Sequence, residues 1–248
     1  MKRVYIALAL IAVTGAIVTP AASAAPRTLG IDVSRFQGTI DWASVASSGV
    51  RFAFVQASRG SGLDCTVKPL QCGADPFWAA NGPAARAVGI RIGAYHRAFA
   101  TGATRAEAKA DAGAEAAVFV AQIARVPRGD LLPVLDVESP FTGLTPGRLR
   151  VWIQTWMKRV RKGVGVKPMI YTNATSWGAT GNTTKFAAGH PLWVAQWGVS
   201  KPTLVPAANW AGRGWTVWQF TSSGSVPGII GNVDMDYLHV PLGRILVR

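Results

Sequence analysis

The chain has 248 residues, of which 49% are hydrophobic and 15% are charged, so it is long and apolar enough for one large domain with a complete core. Lys and Arg number 26 against 12 Asp and Glu, and the resulting net charge of +14 predicts binding to polyanions. Nucleic acid is excluded as the expected partner, because the basic residues are scattered and no nucleic-acid-binding motif is present.

Residues 1–24 have the pattern of a secretory signal peptide. Lys2 and Arg3 provide the positive start, residues 4–19 form an apolar run, and Ala22-Ser23-Ala24 supplies the small residues of a cleavage site. The apolar run is short for a membrane span, and no second such run follows. We therefore expect a secreted, extracellular protein whose mature part, residues 25–248, does not associate with a membrane.

The two cysteines, Cys65 and Cys72, are expected to form a disulfide in an oxidising compartment. Two free thiols are the alternative. The three histidines are far apart in the sequence, and two cysteines do not make a familiar ligand set, so no metal site is expected. No other cofactor is expected either.

Strand-like segments alternate with helices through the first two thirds of the chain and then follow one another with little room for helices. The eight predicted strands are 28–34, 51–57, 90–95, 131–136, 167–172, 191–197, 215–221 and 233–238. This order predicts a single α/β domain, an irregular TIM-like barrel of the form (β/α)5(β)3. In such a barrel the C-terminal strand ends hold the active site.

Two helices can be placed from their caps. Thr104 and Glu107 form a capping box before an alanine-rich helix that ends near residue 125, and Thr145-Pro146 begins a helix that ends near Gly163. An apolar stripe on the second helix predicts its buried face. Three acids of the first helix have helical spacing and are predicted to form a solvated face: Glu107, Asp111 and Glu115.

Asp136 and Glu138 end the apolar run 131–138 and are the strongest chemical signal in the chain. Residues at i and i+2 of a strand point to the same face, with Cα atoms roughly 6.5–7 Å apart. Such a carboxylate pair can divide into one raised and one ordinary pKa, as glycosidic bond cleavage requires. A structural pair that caps a helix or binds arginine is the alternative reading of this motif alone.

Further acids fall on the first and last predicted strands, which are neighbours in a closed barrel. Asp32 lies on the first strand, and Asp234 and Asp236 lie on the last. With Asp136 and Glu138, these carboxylates are expected to converge at one end of the barrel. Three tryptophans near predicted strand ends could stack on sugars, although packing is the favoured role of each: Trp177, Trp197 and Trp218.

Several short motifs, in order, resemble glycoside hydrolase family 25, the lysozymes of bacteria, phages and some fungi. The resemblance extends from about Leu29 to Leu238. Its motifs are Gly30-Ile31-Asp32-Val33-Ser34, Gln37-Gly38, Ile40-Asp41-Trp42, Gly93-Ala94-Tyr95-His96, Asp136-Val137-Glu138, Leu192-Trp193-Val194-Ala195-Gln196-Trp197, Trp218-Gln219-Phe220-Thr221 and Val233-Asp234. Each motif is weak alone, but together they are highly specific.

The resemblance implies cleavage of the β-1,4 bond between N-acetylmuramic acid and N-acetylglucosamine in peptidoglycan. It implies that Glu138 is the general acid and that Asp136 stabilises the positive charge developing on the sugar. Asp32 and Asp234 match further site acids, and Tyr95 matches a site tyrosine that could contact the muramyl sugar. For a secreted lysozyme, anionic wall polymers are the natural partner of the basic surface, and a monomer is expected.

The chain departs from the family pattern at four positions of the predicted site. Gln56 and Arg59 stand where the family often has Lys and Glu, Arg97 replaces a usual Phe, and Asp236 replaces a usual Asn. Two other functions therefore stay open at this stage. One is a wall-binding protein without turnover; the other is a different barrel glycosidase such as a chitinase, although its Asp-x-x-Asp-x-Asp-x-Glu pattern is absent.

Overall fold

A closed barrel of eight strands, with one further strand at its edge, lies at the centre of the structure. This confirms the predicted irregular TIM-like α/β fold. The computed structural model describes Met1, residues 27–61 and residues 73–248. The expected signal peptide and the Cys65–Cys72 pair lie outside these described residues.

The observed elements follow the predicted order. The strands are β1 (Thr28–Val33), β2 (Phe52–Arg59), β3 (Gly73–Ala74), β4 (Arg91–Arg97), β5 (Val134–Asp136), β6 (Met169–Thr172), β7 (Leu192–Ala195), β8 (Val217–Gly224) and β9 (Val233–Leu238). The helices are α1 (Trp42–Ser47), α2 (Trp78–Ala87), α3 (Arg105–Ile123), α4 (Pro146–Val164) and α5 (Ala174–Gly178). A turn at Pro206–Ala211, with positive φ from Ala207 onward, and a 3-10 helix at Leu242–Arg244 complete them. The two-residue strand β3 is an addition that the sequence did not predict.

The last strand closes the barrel in the opposite direction to the others. β1 is parallel to β2, whereas β9 is antiparallel to both β1 and β8. The start of β9 therefore lies beside the C-terminal ends of the parallel strands, and we call this end of the barrel the mouth. In the β1–β9 register Asp32 is opposite Asp234 at the mouth, and Thr28 is opposite Leu238 at the other end.

The chain returns to the end opposite the mouth after β9. Leu132 N donates to Ile245 O at 2.8 Å, and Val247 N donates to Asp130 O at 2.7 Å. These bonds attach the C-terminal residues to the segment that precedes β5. Thr28, at the start of β1, and the C-terminal residues thus lie at the same end of the barrel.

Aromatic side chains fill the barrel interior. The Trp193 ring stacks on Phe54 with centroids 4.4 Å apart and meets Tyr171 edge-on at 4.5 Å. Trp193 is fully buried and lies directly beneath the polar residues of the mouth. The apolar rings therefore exclude water from the base of the site and create a low-dielectric floor.

Helices α3 and α4 are present where their sequence patterns predicted, and they pack on each other. The capping box of Thr104 and Glu107 is present at the start of α3, and Gly165 ends α4 in the left-handed conformation. The predicted apolar face of α4 is buried, including Trp152 and Trp156. Among the described residues, no helix combines the length and apolar character required to cross a bilayer.

The prediction that three acids of α3 form a solvated face is wrong for two of them. Glu107 is exposed, but Glu115 is buried: its Oε2 lies 2.7 Å from His96 Nε2, and its oxygens accept from Phe99 N at 3.2 Å. Asp111 accepts from Trp152 Nε1 at 2.6 Å. The helical spacing correctly placed these acids on one face of α3. Hydrogen-bond donors from other parts of the chain, in and after β4 and on α4, cover that face. Burial lowers the pKa of His96 to about 3, so this imidazole is neutral and structural.

Candidate active site

All five residues predicted for the site line one cavity at the mouth: Asp32, Tyr95, Asp136, Glu138 and Asp234. Eight further residues complete its lining: Ser34, Phe36, Gln56, Arg59, Arg97, Tyr171, Trp193 and Gln219. These residues come from most of the barrel strands. They meet at the mouth because the inward-facing residues near the ends of parallel strands point into the same space. Among the described residues, no group of His, Cys, Asp and Glu has the arrangement of a metal site.

Two further depressions lie near this cavity. One shares Asp32 and Asp234 with the central cavity and reaches the loop at Ile230 and Asn232. Another lies beyond Asn173 and contains the exposed Trp197 ring. The mouth is therefore part of an open groove that could hold several units of a linear polymer.

Glu138 is the more solvent-accessible residue of the carboxylate pair. Its side chain is 27% exposed, against 8% for Asp136. Asn173 Nδ2 donates to Glu138 Oε1 at 3.2 Å, and Arg97 Nη2 lies 3.9 Å from Glu138 Oε2. The carboxyl group is thus oriented from two sides yet faces the groove, where it can reach a bound molecule.

Asp136 ends β5 and is buried beside Arg97. Arg97 Nε lies 3.6 Å from Asp136 Oδ2, while Asp136 Oδ1 has no hydrogen-bond partner. Burial raises the pKa of Asp136 well above its ordinary value, and the Arg97 guanidinium opposes this rise. Arg97 also donates to the carbonyls of Glu138 and Ser139 at 3.0 Å. This one side chain therefore fixes both carboxylates and the loop that joins them to α4.

Asp32 receives a hydrogen bond from an ordered amide. Gln219 Nε2 donates to Asp32 Oδ2 at 2.8 Å, and Gln219 Oε1 accepts from Tyr171 Oη at 2.9 Å and from Trp197 Nε1 at 3.0 Å. The two donors fix the direction of the amide, so that its NH2 group must point to Asp32. The network connects the rim of the groove to the barrel interior.

Asp32, Asp234 and Asp236 form a cluster of acids on the neighbouring strands β1 and β9, with Asp32 directly opposite Asp234 in the strand register. Burial and the neighbouring acids raise the pKa of Asp32 well above its ordinary value, and burial, with Glu138 adding to it, raises that of Asp234 to about 6. The cluster therefore retains protons at mildly acidic pH.

Asp236 is completely buried and belongs to the floor of the site rather than to its accessible surface. Its Oδ1 accepts from Trp193 Nε1 at 2.8 Å, and its Oδ2 is buried without a hydrogen-bond partner among the described residues. Burial raises the pKa of Asp236 well above its ordinary value. Tyr95 contacts the same Trp193 ring, and burial raises its pKa, so its hydroxyl remains a hydrogen-bond donor.

Sequence reasoning missed several residues that shape this site. Asn173, Tyr171 and Gln219 were not singled out for a role, although Asn173 directly follows β6, Tyr171 lies near the end of that strand, and Gln219 lies in a quoted motif. Their position after or near a strand end was the only available signal. Of the three tryptophans considered for stacking, Trp177 and Trp218 are buried, whereas Trp197 is 54% exposed at the groove.

Comparison with known proteins gives a consistent result over most of the chain. The family described as glycosyl hydrolases family 25 matches residues 31–229. Lysozyme M1 of Streptomyces globisporus is 35% identical over 223 residues, covering 88% of this chain and 69% of that protein. An N,O-diacetylmuramidase of Chalaropsis sp is 31% identical over 223 residues, covering 83% of this chain and 95% of that protein. The bacterial lysozyme from Streptomyces coelicolor has a similar structure, with a TM-score of 0.75, 34% identity, and coverage of 89% of this chain and 95% of that one.

Proposed function

The chain belongs to glycosyl hydrolase family 25 and is a glycoside hydrolase; from this premise we propose that it is a secreted lysozyme. Its substrate is peptidoglycan, and its reaction is hydrolysis of the β-1,4 bond between N-acetylmuramic acid and N-acetylglucosamine. The groove supports a polymeric substrate, because further depressions near the acids leave room for sugars beyond the cleaved pair. The expected acidic partner is the cell wall, since the chain carries a net charge of +14.

Glu138 acts as the general acid in this proposal. It must give a proton to the glycosidic oxygen as the bond breaks, which requires a carboxyl group that reaches the groove. Glu138 meets this requirement, since its side chain is 27% exposed and Asn173 orients it. The buried Asp136 could not reach a leaving oxygen in the groove as easily.

Asp136 stabilises the positive charge that develops on the muramyl sugar. Its Oδ1 atom has no hydrogen-bond partner, so it can accept from the substrate or face the charged carbon. The apolar floor around Trp193 strengthens this electrostatic effect, because few water molecules compete there. Arg97 holds Asp136 in place at 3.6 Å and fixes its position relative to Glu138.

Asp32, Asp234 and Tyr95 support the reaction without transferring the proton to the leaving group. Asp32 and Asp234 set the electrostatic potential of the mouth. Tyr95 retains its hydroxyl proton and can donate to the muramyl sugar. Asp32 depends on Gln219 for its orientation.

The observation that carries the proposal is the pairing of an accessible Glu138 with a buried Asp136 under one arginine. The test is the loss of turbidity of purified Gram-positive cell walls with the protein as exported, its Glu138→Gln variant and a matched Glu107→Gln control. Glu107 is exposed on α3, and Gln also suits the third helical position of a capping box. We expect Glu138→Gln alone to lose roughly 10²- to 10⁴-fold in rate.

Mass spectrometry of the released fragments identifies the bond that is cleaved. New reducing ends on muramic acid support the muramidase, whereas new reducing ends on glucosamine contradict it. If neither the parent nor Glu138→Gln clears the walls but both bind them, the protein is a wall-binding module. Activity on chitin without activity on walls would assign a chitinase.

A further inference from the structure

Two arginines face each other across neighbouring strands inside the mouth. Arg59 on β2 is in register with Arg97 on β4, and both line the central cavity. A β-bulge between Gln56 and Ser58 shifts the alternation of side chains, so that Arg59 follows Gln56 on the inward face. Like charges directly opposite each other destabilise a sheet, so this pair needs compensation.

Arg97 makes close contacts with carboxylates, whereas Arg59 makes none among the described residues. Arg97 contacts the carboxylates of Asp136 and Glu138 and donates to three backbone carbonyls, those of Ala98, Glu138 and Ser139. A third arginine nearby, Arg35, lies 3.7 Å from the Asp75 carboxylate. Among the described residues, Arg59 Nε and Nη1 have no hydrogen-bond partner, and no carboxylate lies within 4.0 Å of the guanidinium.

Arg59 is nonetheless buried, with only 7% of its surface exposed. Its guanidinium lies between two aromatic rings, 5.3 Å from the Phe99 centroid and 5.9 Å from that of Phe36. Burial, together with Arg35 and Arg97, lowers the pKa of Arg59, and Tyr95 and Asp136 oppose this change. A buried cation with free N–H groups is stabilised most by an anion that enters the cavity.

We propose that Arg59 binds a carboxylate of the glycan substrate, namely the lactyl carboxylate of a muramyl residue that carries no peptide. The inference rests on the proposed muramidase function. Because Arg59 lines the same cavity as Asp136 and Glu138, its ligand must belong to a sugar bound near the cleaved bond. The muramyl sugar carries the lactyl ether, and its carboxylate is free only on strands without stem peptide. A planar guanidinium fits such a carboxylate through two parallel hydrogen bonds.

The test compares the kcat/KM of the exported protein on three soluble substrates. These are glycan oligomers with free lactyl carboxylates, the same oligomers with each carboxylate converted to a methyl amide, and oligomers that carry stem peptides. A charge-assisted hydrogen bond predicts a preference of roughly 10- to 100-fold for the free carboxylate over the amide. Arg59→Gln should abolish this preference, and Arg59→Lys should retain part of it.

A matched control removes one exposed positive charge far from the mouth. Arg213→Gln makes the same change on the surface after the Pro206–Ala211 turn and should leave the preference unchanged. The ratio of two substrates is the informative quantity, because partial unfolding of a variant lowers both rates equally. Calorimetric binding of the free-carboxylate oligomer to Glu138→Gln, with and without Arg59→Gln, measures the same contact without turnover.

Each outcome decides the matter. No preference in the parent, or an equal preference in Arg59→Gln, overturns the inference while leaving the muramidase intact. A preference for peptide-bearing oligomers that Arg59→Gln abolishes shows that Arg59 binds a carboxylate of the stem peptide instead, and this overturns the assignment to the lactyl group. No hydrolysis of any oligomer refutes the proposed function, and the calorimetric arm then reports on Arg59 alone.

Discussion

The acid cluster at the mouth should make the protein less stable as the pH rises, and Asp234→Asn should remove part of this effect. The folded-state pKa of Asp234 is about 6, against an ordinary value of 3.8. A carboxyl group whose pKa is raised by folding does not lower the free energy of unfolding while it is protonated in both the folded and the unfolded state. The free energy of unfolding begins to fall once the pH exceeds the pKa of the unfolded state, and the loss is complete above the pKa of the folded state.

The magnitude follows from the size of the pKa shift. One pKa unit corresponds to 1.36 kcal/mol, so this shift lowers the free energy of unfolding by about 3 kcal/mol between about pH 3 and about pH 7. Asparagine has a similar shape and does not titrate. The gain in stability of Asp234→Asn over the parent should therefore be about 3 kcal/mol greater at neutral pH than in acid.

The measurement is urea unfolding followed by tryptophan fluorescence at several pH values. Ion pairs such as Arg86–Asp130, at 2.7 Å, are present in both proteins and cancel in the comparison. A pH-dependent difference below about 1 kcal/mol would show that Asp234 titrates normally, and the account of the cluster would then be refuted.

Three further outcomes are expected. Asn173→Ala should lower kcat roughly 10- to 100-fold with little change in KM, because Glu138 loses its orienting donor at 3.2 Å; unchanged turnover of soluble glycan would contradict this role. Trp193→Phe should lower the free energy of unfolding by about 1–3 kcal/mol, because Asp236 Oδ1 loses its donor, and an unchanged urea midpoint would count against it. Wall binding by Glu138→Gln should weaken steeply with added salt, since surface charges are screened within about 3 Å at 1 M; sedimentation with walls that is insensitive to salt would exclude an electrostatic attachment.

Much of the architecture was predictable from local patterns. The alternation of strands and helices, the capping box at Thr104 and the apolar stripe of α4 each depend on residues close together in sequence, and each was found. The convergence of Asp32 and Asp136 at one cavity was also predictable, because the ends of parallel barrel strands meet. Their chemical roles remain proposals.

The features that could not be predicted depend on contacts between distant parts of the chain. Glu115 has the helical spacing of a surface acid, but His96 and the backbone of Phe99 bury it. The inward direction of Arg59 depends on a β-bulge, which has no marker in the run from Gln56 to Gly60. Asn173 is an isolated asparagine, and its importance is visible only from its contact with Glu138.

The pairing of Thr28 with Leu238, and the attachment of Val247 to Asp130, have a consequence for how the enzyme can be tethered. Thr28 precedes Asp32 by four residues, so along a strand it lies roughly 13 Å from the acids and toward the opposite end of the barrel. A purification tag, a surface anchor or a wall-binding module joined directly before Thr28 or after Val247 would therefore attach at the end of the barrel opposite the mouth. The groove would face away from the tether, and a long glycan strand could thread past the acids without meeting the fused partner.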